Sequence, residues 1–210
     1  MTLNDAYHTM TRTGLQFILF LFALTAFFLN PRPTQAIGSM KSALPNLRDD
    51  SRPASNGTTD VLQSVYIANT LELPVIQQPV DNPYYVSNHN GEATQFSMAS
   101  QYGNIGLLAH NTLSGKHFSK LAIGQEVQLV YGDGRVEYFI VEQILRFQAL
   151  DPESVSSSFK NLERNEEVLS AGEMFNRAYV GGHRLVFQTC IEAEGNVSWG
   201  RLFVVAMPKG

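Results

Sequence analysis

The chain contains one cysteine, Cys190, and one tryptophan, Trp199, in 210 residues. A single cysteine excludes an intramolecular disulfide and any zinc site built from several thiolates. Basic residues are sparse and scattered: 15 Lys and Arg against 19 Asp and Glu give a formal net charge of −4. Without a basic cluster the chain lacks the electrostatic footprint of a nucleic-acid binder. It has only one long apolar run, so it is not a polytopic membrane protein. Internal repeats and low-complexity segments are missing as well, which excludes a solenoid.

The one apolar run lies near the N-terminus. Met1–Arg12 is polar, Leu15–Leu29 is fifteen residues without a charge, Pro31-Arg32-Pro33 breaks the pattern, and Thr34-Gln35-Ala36 ends on a small residue. This is the order of a signal peptide. Fifteen residues is short for a membrane span of ~20, yet Thr34 stands where cleavage sites favour Ala. Residues 1–36 are therefore read as a signal peptide or an N-terminal membrane anchor. Both place the rest of the chain outside the cytoplasm, secreted or held at the membrane. Residues 37–60 are rich in Ser, Pro, Asn, Gly and Arg and read as a flexible linker. Residues 61–210 form one domain, long enough to bury a core.

That domain reads as all-β. Val65–Ala68 and Leu73–Gln77 are short apolar strands, and Pro74 places the second at an edge. Asp81–Thr94 is Asn-, Gly- and Pro-rich and reads as loop. Gln95–Ser100 suits a helical turn, Asn104–His110 a strand, and His117–Ile123 a short helix. Glu126–Tyr131 and Arg135–Ile144 alternate, and Gly132-Asp133-Gly134 joins them as a hairpin. Asn161–Phe175 is an irregular excursion with room for a short helix. Leu185–Cys190 and Arg201–Ala206 are apolar strands, with Glu192–Gly200 between them read as a polar loop. Many short strands with little helix imply a barrel or sandwich.

On this reading Cys190 ends one strand and Arg201 opens the next, eleven positions later, so both can line a cleft at one end of a sheet. A buried unpaired cysteine is ordinarily a small hydrophobe. Here it follows Gln188 and Thr189, atypical core neighbours, in a chain read as exported, where a free thiol is a liability unless used. A thiol of ordinary pKa ~8.5 needs a neighbouring histidine or cation to act as a nucleophile. Of the five histidines, His8 lies in the N-terminal region, His89 sits in the turn sequence Asn88-His89-Asn90-Gly91, and His117 and His183 read as surface residues. His110 ends the apolar run Ile105–Ala109 and opens into Asn111, Thr112, Ser114 and Gly115. No histidine follows Cys190, so the papain-like order, nucleophile before histidine, is unavailable.

His110 in LLAHN, Cys190 in LVFQTC and Arg201 in WGRLFVVA resemble the three active-site segments of the sortase family. The resemblance spans roughly Leu73 to Pro208. Phe118–Leu121, Gly124–Val127 and the Tyr138–Val141 strand resemble further family segments, as does the layout of apolar segment and tether. Phe187-Gln188 departs from the family's usual residues ahead of Thr-Cys. The resemblance implies a sortase-like eight-stranded β-barrel with short helices in its connections. It implies a cysteine transpeptidase that cleaves a sorting-signal peptide bond through a thioester acyl-enzyme and passes the acyl group to an amine, or to water. Cys190 is then the nucleophile, His110 the acid–base group and Arg201 the binder of substrate or oxyanion, with Thr189, Gln188 and Trp199 as substrate-binding candidates. Implied partners are surface proteins bearing sorting signals and an amine acceptor on the cell envelope. No metal or organic cofactor is required. Some sortases bind calcium near the loop that here carries Glu163, Glu166 and Glu167, although these read more simply as an acidic surface turn.

Two other classes stay open. One is a sortase-fold protein that binds peptides at the cell surface without turnover. The other is a different cysteine transpeptidase, although an L,D-transpeptidase does not match, because that family has Ser-x-Gly-Cys with Arg two residues later and this chain has Gln188-Thr189-Cys190-Ile191-Glu192. A secreted adhesion or structural β-domain would leave the His110, Cys190 and Arg201 pattern unexplained.

Overall fold

A computed structural model describes residues 60–154, 156–164 and 167–210. The expectations for residues 1–36 and, apart from Asp60, for residues 37–60 fall outside these. Among the described residues no helix is long and apolar enough to cross a membrane.

Ten strands follow one another: β1 (Leu62–Ile67), β2 (Leu71–Gln77), β3 (Ala93–Gln95), β4 (Ile105–Leu108), β5 (Glu126–Tyr131), β6 (Val136–Ala149), β7 (Phe159–Asn161), β8 (Val168–Leu169), β9 (Leu185–Ala193) and β10 (Asn196–Pro208). Their hydrogen-bonded order is β10-β9-β4-β3-β2-β1-β5-β6, and β6 pairs back onto β10. Eight strands thus close into a ring, which leaves no free edge. β7 and β8 extend from the outer end of β6. Short helices occupy connections at Ser97–Ser100 and Ala171–Tyr179, with a 3-10 helix at Ser114–Lys120. The expected all-β, eight-stranded barrel is present.

Strand alternation divides the apolar side chains into two cores. Leu107, Leu129, Phe139, Phe187 and Val204 fill the barrel. Leu108, Phe147, Val186, Phe203 and Val205 point outward from the neighbouring strands and are covered by Phe159 and by Met174, Ala178 and Tyr179 of the helix Ala171–Tyr179. That helix starts at a capping box: the Ser170 side chain accepts from the Glu173 amide, and Glu173 accepts from the Ser170 amide.

Several boundaries differ from expectation. β2 is not an edge strand, since it pairs with β1 and β3. Pro74 is tolerated because β3 pairs only with Val75–Gln77, so Pro74 has β1 alone beside it. β3 takes Ala93 and Thr94 from the stretch read as loop and Gln95 from the one read as a helical turn, and the 3-10 helix starts three residues ahead of the expected one. The largest difference is at Glu192–Gly200. β9 continues to Ala193 and β10 begins at Asn196, so this stretch is mostly strand, with a register break between Asn196 and Gly200. The reversal needs only Glu194 (φ 53°) and Gly195 (φ 75°), two successive left-handed residues as in a tight hairpin turn. Cys190 and Arg201 therefore lie within long strands, not at their ends.

Candidate active site

Cys190 and Arg201 are register partners across the β9–β10 ladder. β4 runs parallel to β9 with Leu108 opposite Gln188. Extending that register by two residues sets His110 beside Cys190. The three side chains form one row across three adjacent strands. Alternation gives them a common face: Leu107, Phe187 and Leu202 point into the barrel, so Leu108, His110, Cys190, Arg201 and Phe203 point outward. A cleft on that face is lined by His110, Gln188, Thr189, Cys190 and Arg201. Phe96, Leu108, Pro83 and Tyr84 also line it.

β4 stops at the point where His110 is needed, and local bonds hold its end. The Ala109 amide donates to the Gln188 carbonyl at 3.3 Å, and the Thr189 hydroxyl donates to the Ala109 carbonyl at 2.8 Å. The His110 carbonyl accepts from the Leu113 and Gly115 amides, each at 2.9 Å, which opens the 3-10 helix. Gly115 cannot be larger. A Cβ there would stand 2.6 Å from the Ala109 oxygen and 2.7 Å from the His110 oxygen. The Ser114 hydroxyl accepts from the Gly91 and Glu92 amides at 2.8 and 3.0 Å, tying the loop before β3 to the same helix.

Burial lowers the pKa of His110 below its ordinary 6.5, and a hydrogen bond with the Val86 backbone opposes this in part. The ring is neutral at neutral pH and can accept a proton from a thiol beside it. Arg201 is 2% exposed. Its Nη1 donates to the carbonyls of Ser198 at 3.0 Å and Gly200 at 2.8 Å, and its guanidinium carbon lies 5.9 Å from the Phe159 ring centre. A long flexible side chain is thereby held in one place with its charge intact.

The chain was compared with known proteins. No family model matches it, and no curated protein does. Solved structures similar to it include sortase C from Clostridium perfringens SM101 (16% identity over 72% of this chain and 71% of that one, TM-score 0.42). Others are sortase A from Listeria monocytogenes (13%, 71% and 88%, 0.44) and sortase C1 from Streptococcus suis (15%, 71% and 73%, 0.48).

The other sequence candidates separate. Thr189 lines the cleft, and its hydroxyl donates to the Ala109 carbonyl. Gln188 lines the cleft and is 8% exposed. Trp199 is not among the residues lining it; its indole N–H is enclosed, with no hydrogen-bond partner among the described residues. His89 is a solvated loop residue, its side chain 73% exposed. Near the acidic excursion Glu163 pairs with Arg146 at 3.5 Å and Glu167 with Arg177 at 2.6 Å, and Glu166 lies outside the described residues. Both described carboxylates thus sit in carboxylate–guanidinium pairs. Sequence reasoning missed Gly115, Val86 and Tyr179. They support His110 and Gln188 through backbone approach and long-range contacts that leave no local signature.

Proposed function

We propose that the chain is a sortase-type cysteine transpeptidase acting at the cell surface. The observation that carries this reading is the row His110–Cys190–Arg201 on one outward face of three adjacent strands, open to a cleft. Cys190 Sγ attacks the carbonyl carbon of a peptide bond while neutral His110 takes the thiol proton. The resulting imidazolium returns that proton to the leaving amine nitrogen as the C–N bond breaks, leaving a thioester on Cys190. An incoming amine attacks the thioester carbonyl and gives a proton to His110. The C–S bond breaks, the new amide is released, and the proton passes back to the thiolate. Water in place of the amine yields hydrolysis. Arg201 remains protonated throughout and acts by charge on the carbonyl oxygen as it becomes negative. The reaction as written balances without a metal or organic cofactor. The substrates in this reading are surface proteins carrying a sorting signal, and the acceptor is an amine of the cell envelope.

Mass spectrometry tests it. The chain is mixed with Leu-Pro-x-Thr-Gly-like peptides and an amine acceptor. An acyl adduct on Cys190 that turns over to the amine-linked product supports the reading. Slow reaction of Cys190 with a thiol-directed probe, together with no adduct, overturns it in favour of a non-catalytic peptide binder.

A further inference from the structure

Gln188 sits two residues before Cys190 on the same outward face of β9, where the strand's neighbours in the second core are Val186, Phe203 and Val205. Its side-chain Oε1 accepts from the Tyr179 hydroxyl at 2.8 Å. Tyr179 is completely enclosed, 0% exposed, and burial keeps its phenol protonated well above the ordinary range. An enclosed O–H must donate. With the carboxamide reversed, an –NH2 group would face that O–H and leave its hydrogen without an acceptor. Tyr179 therefore dictates which end of the amide points where. The helix bearing Tyr179 is itself fixed by Asn104, whose Nδ2 donates to the Tyr179 carbonyl and whose Oδ1 accepts from the Arg184 amide at 2.9 Å. Among the described residues nothing accepts from Gln188 Nε2, although the residue is more than nine-tenths buried and lines the cleft. Phe96 and Leu108, which line the same cleft, are apolar and buried.

An amide donor that opens into the cleft from a residue more than nine-tenths buried, with no acceptor among the described residues, is a position that a ligand acceptor completes. Two residues along a strand span ~7 Å, and an extended peptide rises ~3.3 Å per residue. A peptide lying along β9 with its reacting carbonyl at Cys190 therefore brings the side chain two residues away over Gln188. We propose that Gln188, clamped by Tyr179, is a specificity-determining donor that selects peptides carrying a side-chain oxygen acceptor, an amide or a hydroxyl, two residues from the bond Cys190 attacks. This rests on the cleft being the peptide site proposed above.

The test separates recognition from turnover. A positional-scanning peptide library is panned on the full chain carrying Cys190→Ala, which binds without reacting, and on the same chain with Gln188→Glu or Gln188→Met added. Glu still accepts from Tyr179 but presents no amide hydrogens to the cleft, and Met retains the bulk alone. The expected result is enrichment of Asn, Gln, Ser or Thr over Leu at one peptide position by about tenfold, lost in both double variants, with Lys enriched instead by Glu. Tyr179→Phe in the same background frees the amide to turn, and the enrichment falls to a few-fold. Identical enrichment in the Gln188 variants, or peptides bound with no polar preference, or no peptide bound at all, overturns the proposal. Turnover by the unmodified chain is scored separately. Selective binding without turnover sinks the transpeptidase reading and leaves the role of Gln188 intact.

Discussion

Cys190→Ala takes one half-buried thiol from the middle of β9 and leaves every backbone pair in place. Acyl transfer is expected to vanish while the thermal midpoint moves by no more than a degree or two; retained turnover in mass spectrometry would remove the thiol from the mechanism. His110 gives a pH signature. Its folded pKa lies below 6.5 because burial disfavours the cation, so as pH falls the unfolded chain takes up the proton first. The stability contributed by the neutral ring is whole above pH 6.5 and is lost as pH falls through the lower folded value. His117 is shifted the same way, first by burial and then by Lys120 and Lys116, and it titrates in the same window. The informative comparison is therefore between the unmodified chain and His110→Asn. The loss in urea midpoint between about pH 7.5 and pH 5 should be smaller in the variant. The three residues of the row were picked out in the sequence by the resemblance of their segments to a known family, while the reading of Cys190 and Arg201 as strand-end residues did not hold. What Thr189 and Gln188 do was not legible there, since their partners Ala109 and Tyr179 are fixed by the fold and not by neighbourhood in sequence.

Between strands, the end of β4 depends on one glycine. Gly115→Ala forces a Cβ against the Ala109 and His110 oxygens, both backbone atoms that cannot swing aside, so the 3-10 helix must shift and take the end of β4 with it. The expected outcome is a loss of ~1–3 kcal/mol in stability and a fall in Cys190 labelling by a thiol-directed probe at neutral pH, read by mass spectrometry. Labelling equal to that of the unmodified chain would detach His110 from this helix. Elements with strong periodicity, such as β5 and β6, were readable. The β9–β10 hairpin was misread because polar Glu192, Asn196 and Ser198 look like loop, and because Glu194 in a left-handed conformation carries no sequence cue of the kind Asn or Gly would give. β3 has three residues, too few to show a period.

Across the molecule, the barrel interior and the site lie on opposite faces of the same strands. Leu129 is fully buried inside the ring, and Leu129→Ala should cost ~2–5 kcal/mol. Cys190 labelling at temperatures well below the lowered melting point should be unchanged. A proportional loss of labelling would mean that the cleft draws its order from the barrel core and not from the second core under the helix Ala171–Tyr179. The closed ring was expected from resemblance rather than from pattern, because periodicity specifies which residues face inward but not that β6 returns to β10.

The described chain begins at Asp60, whose carboxylate holds Arg135 at 3.1 Å beside the β5–β6 turn. β6 runs from that turn to Ala149, and Phe147 near its far end pairs with Arg201. The entry point of the domain and the mouth of the cleft are thus separated by nearly the whole of the longest strand. A probe attached at Asp60 would therefore lie nearly the length of that strand from the Cys190 thiol.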